Sequence, residues 1–170
     1  MVVGPGGAAK STLAAELADR LGLPVIHLDR YFWQPGWTPT PAPQWRQTMA
    51  QLAAGQQWVI DGNYSAVFDL RLQRADTVII LGFSRWRCLV GVFRRWWRHR
   101  GRAVQSDGCP ERLDWEFLRW VWRYRIDSRP RLDAALAHTT ADLRIIELDS
   151  PSAARSFLAA LPTQLRPQEP

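Results

Sequence analysis

A sequence typical of a phosphate-binding loop lies near the start of the chain. Residues 4–12 read Gly-Pro-Gly-Gly-Ala-Ala-Lys-Ser-Thr, one substitution away from the pattern G-x-x-x-x-G-K-[ST]. Lys10 is the only lysine, and the other 21 of the 22 basic residues are arginines. An ammonium group is a compact charge on a flexible stem, so it reaches between β- and γ-phosphates where a planar guanidinium is too bulky. The loop therefore predicts nucleotide binding.

The residues of this loop have different expected roles. Lys10 would neutralise the β- and γ-phosphates and Ser11 would ligate Mg²⁺, while Thr12 would support the loop and the α-phosphate. Backbone N–H groups of the loop and of the first helical turn would converge on the anion. The predicted nucleotide-binding residues are Gly4, Gly6, Gly7, Ala8, Ala9, Lys10, Ser11 and Thr12. The alternative is a glycine-rich turn without a ligand.

Ala9 departs from the pattern because it occupies the position of the second glycine. If the backbone needs a positive φ there, a Cβ atom costs roughly 1 kcal/mol. The methyl group could also crowd the phosphate. Nucleotide affinity therefore depends on the conformation of this residue.

Two aspartates follow apolar runs that are typical of buried strands. Asp29 ends residues 23–29 and Asp61 ends residues 57–61. Asp61 would hold Mg²⁺ through water or polarise the acceptor, and its alternative role is to form a turn at the strand end. Asp29 would accept a hydrogen bond from a substrate hydroxyl and act as a base, or it would cap the next turn. His27 is expected in the core or behind the site.

Residues 71–131 carry a net charge of +9, whereas the whole chain carries +6. Such a local basic region indicates an anion-binding feature. Arg94 and Arg98 lie one helical turn apart. Arg119 and Arg123 repeat that spacing. We expect two facing helices to present these four catalytic guanidinium groups to one polyphosphate, because arginines stabilise the negative charge that phosphoryl transfer spreads. A solvated basic face is the alternative.

The elements that would hold these residues alternate between short apolar strands and amphipathic helices. Strands are predicted at residues 1–3, 23–29, 57–61, 76–82 and 144–148, and helices at 11–21, 44–54, 86–100, from Pro110 onward and at 150–161. Residues 31–43 are too rich in proline, glycine and aromatic residues for regular structure. The alternation predicts a parallel sheet covered by helices on both faces, with the ligand at the carboxyl ends of the strands. The tail from Pro162 is expected to be irregular.

Length and composition favour one cytoplasmic domain. A chain of 170 residues with 46% hydrophobic residues has room for one core. No apolar run approaches the length of a membrane span and no signal-peptide pattern is present, so no membrane partner is expected. Cys88 and Cys109 lack metal-ligand spacing and are expected to be reduced thiols.

Four segments of the chain carry a resemblance to a known group. They read G-P-G-G-A-A-K-S-T, V-I-H-L-D-R-Y-F-W-Q-P-G-W, W-V-I-D-G-N-Y and G-C-P-E-R-L-D-W-E-F-L-R-W-V-W-R-Y. The chain resembles the adenylate-kinase-like P-loop NTPases, most closely the bacterial "DNA topology modulation protein" group. The resemblance implies a three-layer α/β fold, a five-stranded parallel sheet of order 2-3-1-4-5 and a helical lid. Asp61 and Gly62 are similar to the Asp-Gly-Phe-Pro-Arg turn of nucleoside monophosphate kinases, but Asn63 and Tyr64 replace its acceptor-binding residues.

The expected organisation is one kinase-like domain over residues 1–170, with an acceptor-binding segment at about 30–56 and an Arg-rich lid at about 85–131. The expected function is phosphoryl transfer from ATP, with Mg²⁺, to an unidentified small-molecule acceptor that could be a nucleotide. Trp33 and Trp37 could stack on that acceptor or pack a surface loop.

Two other functions stay open. A nucleic-acid-binding protein would use the arginines and tryptophans of residues 85–131, with the nucleotide as a switch. A peripheral membrane protein would use the basic helix at residues 86–100. The tryptophans of that helix are expected to face the core instead.

Overall fold

A computed structural model describes residues 1–162, and they form a mixed α/β structure. The elements in chain order are β1 (Val2–Val3), α1 (Lys10–Leu21), β2 (Val25–His27), α2 (Asp29–Phe32), β3 (Trp33–Gln34), β4 (Thr38–Pro39), α3 (Ala42–Ala53), β5 (Val59–Asp61), a 3-10 turn (Ser65–Val67), α4 (Phe68–Leu72), β6 (Thr77–Leu81), α5 (Arg85–His99), α6 (Trp115–Asp127), α7 (Arg129–His138), β7 (Arg144–Leu148) and α8 (Pro151–Ala160). The predicted irregular tail lies, apart from Pro162, outside the described residues.

Five strands form a parallel sheet in the order β2-β5-β1-β6-β7. Successive side chains of a strand point to opposite faces. Val2 and Ile79 therefore belong to a core with α1 and α8, whereas their chain neighbours Val3 and Ile80 belong to a second core with α4 and α7. Helices flank the sheet, as in a three-layer α/β fold.

Helix α5 buries one face and exposes aromatic side chains on the other. Cys88 and Val92 are buried against the rest of the protein. Trp86 is 68% exposed and Trp97 is 73% exposed, so the prediction that the tryptophans of this helix face the core is wrong for these two. The helices within residues 1–162 are all too short or too polar to span a bilayer.

The predicted helix start at Pro110 is wrong. Helix α6 begins at Trp115 because the Asp114 side chain caps it, accepting hydrogen bonds from the backbone N–H groups of Glu116 and Phe117. Glu111, which follows Pro110, is buried in the loop that precedes α6. The loop between α5 and α6 is therefore longer than predicted and carries a buried charge.

Part of the segment expected to be irregular is ordered. Strands β3 and β4 pair in an antiparallel hairpin, with Trp33 opposite Pro39. Trp37 in the hairpin turn has a φ of 63°, a backbone conformation that residues other than glycine seldom adopt. Proline and glycine content predicted irregular structure over residues 31–43, and it did not reveal the short pairing on either side of the turn.

The backbone of Ala9 is left-handed, with φ 62° and ψ 32°. Replacing Ala9 by Gly removes the Cβ strain, and we expect thermal unfolding to show a gain of about 1 kcal/mol, or roughly 2–4 °C in Tm. Ala8→Gly is the matched control, since Ala8 is buried without a positive φ and should lose stability. A lower Tm for Ala9→Gly would contradict the strain argument.

Candidate functional site

The loop after β1 ends in the first turn of α1. Lys10, Ser11 and Thr12 begin the helix, and Ala9 caps it without a side-chain hydrogen bond. The N–H groups of a first helical turn lack partners within the helix and carry a partial positive charge. Ala9 and Thr12 are exposed, and both line the neighbouring cleft. An anion could therefore approach this helix N-terminus.

Helix α5 lies directly on the loop. A Cβ atom on Gly7 would come within 2.0 Å of the Cys88 carbonyl oxygen, and one on Gly91 would come within 2.2 Å of the Gly7 carbonyl oxygen. Neither position tolerates a side chain without moving backbone. Phe117 of α6 touches Gly6 in the same way, since a Cβ there would lie 2.6 Å from the ring. The α5–α6 pair is thereby fixed against the loop.

Asp61 is the centre of a hydrogen-bonded cluster at the carboxyl ends of the strands. Ser11 donates its hydroxyl to Asp61 Oδ2 at 2.7 Å, and His27 Nδ1 lies 2.5 Å from Asp61 Oδ1. The parallel register of β2 and β5 places His27 directly beside Asp61. The carboxylate is buried, and its position is fixed by a hydroxyl and an imidazole. His27 thus lies behind the site and orients Asp61.

Asp29 lies in the first turn of α2 and not at the end of a strand. Tyr64 donates its hydroxyl to Asp29 Oδ1 at 2.5 Å. Burial, together with the neighbouring Asp29 charge, raises the pKa of Tyr64 far above its usual value, so the phenol remains a donor at neutral pH. Asp29 is half-buried and its carboxylate is held in one orientation.

The Lys10 ammonium lies among charges of both signs. It donates to the Pro5 carbonyl oxygen at 3.1 Å. Burial lowers the pKa of Lys10, the charges of Asp29 and Asp61 oppose that shift, and the Arg95 charge adds to it. The structure thus brings Lys10, Asp29 and Asp61 together and adds an arginine that sequence analysis did not select.

Arg95 is that missed residue. Its Nε donates to Glu111 Oε2 at 3.2 Å, and its guanidinium lies 5.9 Å from the centre of the Phe117 ring. Residues 88, 92 and 95 recur at helical spacing on the buried face of α5. The sequence shows this spacing, but it identifies Arg95 as a residue near the loop only when the face of α5 that packs on the loop is known.

The four predicted lid arginines do not point to one place. Arg98 and Arg119 are exposed, and Arg123 forms an exposed ion pair with Asp127 at 2.7 Å. Arg94 lines a cleft beside the loop. Residues four apart share one helix face, and in both helices the face with these arginines is exposed because the opposite face buries apolar side chains.

A cleft of about 490 Å³ opens between α1, α5 and α8, next to the loop. Its wall combines apolar side chains with guanidinium groups and one carboxylate. The residues that line the cleft include Ala9, Thr12, Glu16, Val90, Arg94 and Arg155. This volume suits a group of small-molecule size with an anionic part directed towards the loop.

The turn after β5 is tied to the loop by a buried polar network. Asn63 accepts from the Gly4 N–H at 3.1 Å and donates to the Gly4 carbonyl oxygen at 2.7 Å. Arg71 is fully buried, and it donates to the Gly62 carbonyl oxygen at 2.7 Å and to that of Asn63. Burial lowers the pKa of Arg71 to about 9, which leaves it charged at neutral pH.

The aromatic residues of the acceptor segment contact one another and the α5–α6 loop. Trp33 and Trp37 pack edge to face at 5.6 Å, and Trp37 Nε1 donates to the Pro110 carbonyl oxygen at 3.0 Å. Phe32 packs against Tyr64 and Trp45. The two hairpin tryptophans therefore pack a surface loop in this structure.

Comparison with known proteins adds one weak similarity. The chain is 26% identical over 145 residues to an uncharacterized protein, YqaC, of Bacillus subtilis (strain 168). The alignment covers 84% of this chain and 82% of that protein, so the similarity extends over most of both. No protein-family model matches the chain. The name of the relative assigns no chemistry.

Replacing Arg71 by Met should destabilise the protein by about 3 kcal/mol, because the buried carbonyl groups of Gly62 and Asn63 lose their donors. Urea unfolding measures the change. Arg74→Met is the matched control: within residues 1–162 the exposed Arg74 side chain donates only to the Ala54 carbonyl oxygen, so a change below about 1 kcal/mol is expected. Equal effects of the two substitutions would show that burial of Arg71 is not what matters.

Proposed function

We propose that this chain is an ATP-dependent phosphotransferase of the adenylate-kinase-like P-loop class, similar to the bacterial "DNA topology modulation protein" group. The observation that carries the proposal is the start of α1 at Lys10 and Ser11, where the Ser11 hydroxyl lies 2.7 Å from the buried Asp61 carboxylate. The unpaired N–H groups of a first helical turn form an anion-binding site. The phosphates of a nucleoside triphosphate supply such an anion.

The topology supports the same class. When the hairpin strands β3 and β4 are left out, the five parallel strands counted along the chain have the order 2-3-1-4-5. The loop of residues 4–9 follows the central strand β1, where ligands of open α/β sheets bind. The position of the glycine-rich loop and its sequence therefore point to the same ligand.

The residues beside Lys10 fit a magnesium ion. Ser11 and Asp61 offer a hydroxyl and a carboxylate 2.7 Å apart, and Mg²⁺ prefers hard oxygen ligands completed by water and phosphate. Within residues 1–162 there is no cluster of three or more His, Cys, Asp or Glu side chains for an all-protein metal cage. Bound Mg²⁺ would neutralise charge on the phosphates.

The side chains around the site suit phosphoryl transfer to a hydroxyl. Asp29 would accept the proton as the acceptor oxygen bonds to the γ-phosphorus and the bond from that phosphorus to ADP breaks. Tyr64 holds Asp29 in place. Lys10 and Arg95 would stabilise the charge on the transferred group. The nucleoside would occupy the cleft between α1, α5 and α8, close to Arg94.

Calorimetry with ATP and Mg²⁺ tests the proposal. The wild type should bind ATP in a Mg²⁺-dependent manner, and Lys10→Met should weaken binding by about tenfold or more, because a charge-assisted contact contributes roughly 1.5–3 kcal/mol. Arg102→Gln is the matched control, since its exposed side chain has no role in the site. A flat titration of the wild type at millimolar ATP would refute nucleotide binding.

A second arm locates the nucleoside. Val90→Trp should fill the cleft and weaken ATP binding, while inorganic triphosphate, which needs only the loop, should bind as before. Phe93→Trp is its control because Phe93 lies on the same helix outside the cleft wall. If Val90→Trp leaves ATP affinity unchanged, the nucleoside binds elsewhere.

A nucleic-acid-binding function is the second candidate, and one observation favours it. Trp97 is 73% exposed and Trp115 is 78% exposed in the region of highest positive charge, and exposed aromatic rings beside arginines stack on single-stranded bases. A fluorescent oligonucleotide decides between the functions. Tight binding at physiological salt that saturating ATP does not displace would support this second function.

A further inference from the structure

The hairpin of the acceptor segment holds the loop between α5 and α6. Four hydrogen bonds connect them: Gly36 N–H to the Gly108 carbonyl oxygen at 3.0 Å, Trp37 Nε1 to the Pro110 carbonyl oxygen at 3.0 Å, Ser106 Oγ to the Trp33 carbonyl oxygen at 2.9 Å and Cys109 Sγ to the Gln34 carbonyl oxygen at 3.2 Å. Ser106 and Cys109 are buried. The loop therefore cannot shift without breaking contacts to the hairpin.

The same loop carries Glu111, whose carboxylate is buried and accepts a hydrogen bond on each oxygen. Gln105 Nε2 donates to Oε1 at 2.9 Å and Arg95 Nε donates to Oε2 at 3.2 Å. The Glu111 N–H also donates to the Arg102 carbonyl oxygen at 3.0 Å. A charge-assisted bond to a buried carboxylate restricts the rotamers of Arg95, so the position of Glu111 determines the direction of the guanidinium.

Arg95 is placed to reach the loop of residues 4–9. Val92, one turn earlier on the same face of α5, is in contact distance of Gly7, and the Phe117 ring lies both against Gly6 and beside the Arg95 guanidinium. A continuous set of contacts therefore runs from the hairpin through residues 105–111 to Arg95 and the phosphate-binding loop.

We propose that Arg95 contacts the terminal phosphate of bound ATP, and that Glu111 and the Trp37 hairpin are positioning residues that couple the acceptor segment to this arginine. The inference rests on the proposed function, and it adds how the acceptor side would control the phosphate side. An acceptor that moves the hairpin would move Glu111, and with it Arg95.

The backbone of Trp37 supports this coupling. A positive φ on a tryptophan costs of order 1–3 kcal/mol and persists only where surrounding contacts enforce it. The bond from Trp37 Nε1 to Pro110 and the packing of its ring on Trp33 are such contacts. An acceptor that competes for the Trp37 ring would release the strain and loosen the loop.

Calorimetry with MgATP and MgADP tests the proposal, because a contact to the terminal phosphate changes their ratio of affinities. Arg95→Gln should weaken ATP about tenfold and ADP by about twofold or less. Glu111→Gln should act in the same direction. Trp37→Phe, which keeps an aromatic ring but loses the bond to Pro110, should lower the ratio by roughly threefold. Arg102→Gln should leave it unchanged.

Double variants separate positioning from general stability. If Glu111 acts through Arg95, the variant with both substitutions should have the same ATP-to-ADP ratio as Arg95→Gln alone. Additive effects, or equal losses for ATP and ADP, would overturn the positioning role. An unchanged ratio in Arg95→Gln, with nucleotide bound by the wild type, would overturn this inference alone. No binding of either nucleotide by the wild type would overturn the proposed function and this inference together.

Discussion

The contact between Gly7 and Gly91 is the constraint on which the rest of the site depends. Two backbones approach so closely that a side chain on either residue would collide with a carbonyl oxygen. This contact sets the rotation of α5 about its axis. It turns Cys88, Val92 and Arg95 towards the loop, and it leaves Arg94 and Arg98 on the outer faces. The choice of the arginine beside Lys10 follows from this packing.

Backbone strain occurs where the site is. Ala9, Trp37 and Tyr64 are the residues other than glycine with a positive φ within residues 1–162. They lie in the loop before α1, in the turn of the β3–β4 hairpin and in the turn after Asp61. Such strain persists only when neighbouring contacts enforce it. Here the contacts are identifiable: the Ala9 carbonyl oxygen accepts from the Leu13 N–H of α1, the α5–α6 loop holds Trp37, and Asp29 and Arg71 hold the turn at Tyr64.

The charges of the site balance locally, although the chain is basic overall. Asp29 and Asp61 act on Lys10, and Glu111 is paired with Arg95. Lys10 and Arg95 thus each have carboxylates nearby whose negative charge offsets theirs. Other arginines of this region are exposed. Arg123 forms an exposed ion pair with Asp127, and Arg98 and Arg119 are also exposed. The arginines that give residues 71–131 a net charge of +9 therefore include both residues that face the loop, such as Arg95, and exposed surface residues, such as Arg123.

Local sequence determined the strands, the loop and the helix that follows it. Strand β7 has the predicted bounds, and β1, β5, β6 and α1 lie within a residue or two of theirs, because short apolar runs and a Lys-Ser-Thr helix start are local signals. The ends of those strands also indicated that Asp61 would lie near the loop. Helices α4 and α7 had no such signal, since the second residue of α7 is a proline, which usually breaks a helix, and α4 has only five residues.

Tertiary structure alone decided which charges meet. Ser11 and Asp61 are 50 residues apart, and their 2.7 Å contact exists only because β5 lies beside β1 in the sheet. Arg95 was indistinguishable from Arg94 until the loop fixed the rotation of α5, since neighbouring helical residues point about 100° apart. Glu111 lies at the predicted helix start but is a buried partner of Arg95, because Asp114 caps the helix four residues further along the chain from Pro110. The sequence determined which charged and polar residue types the chain could bring to the site, and packing between distant segments selected among them.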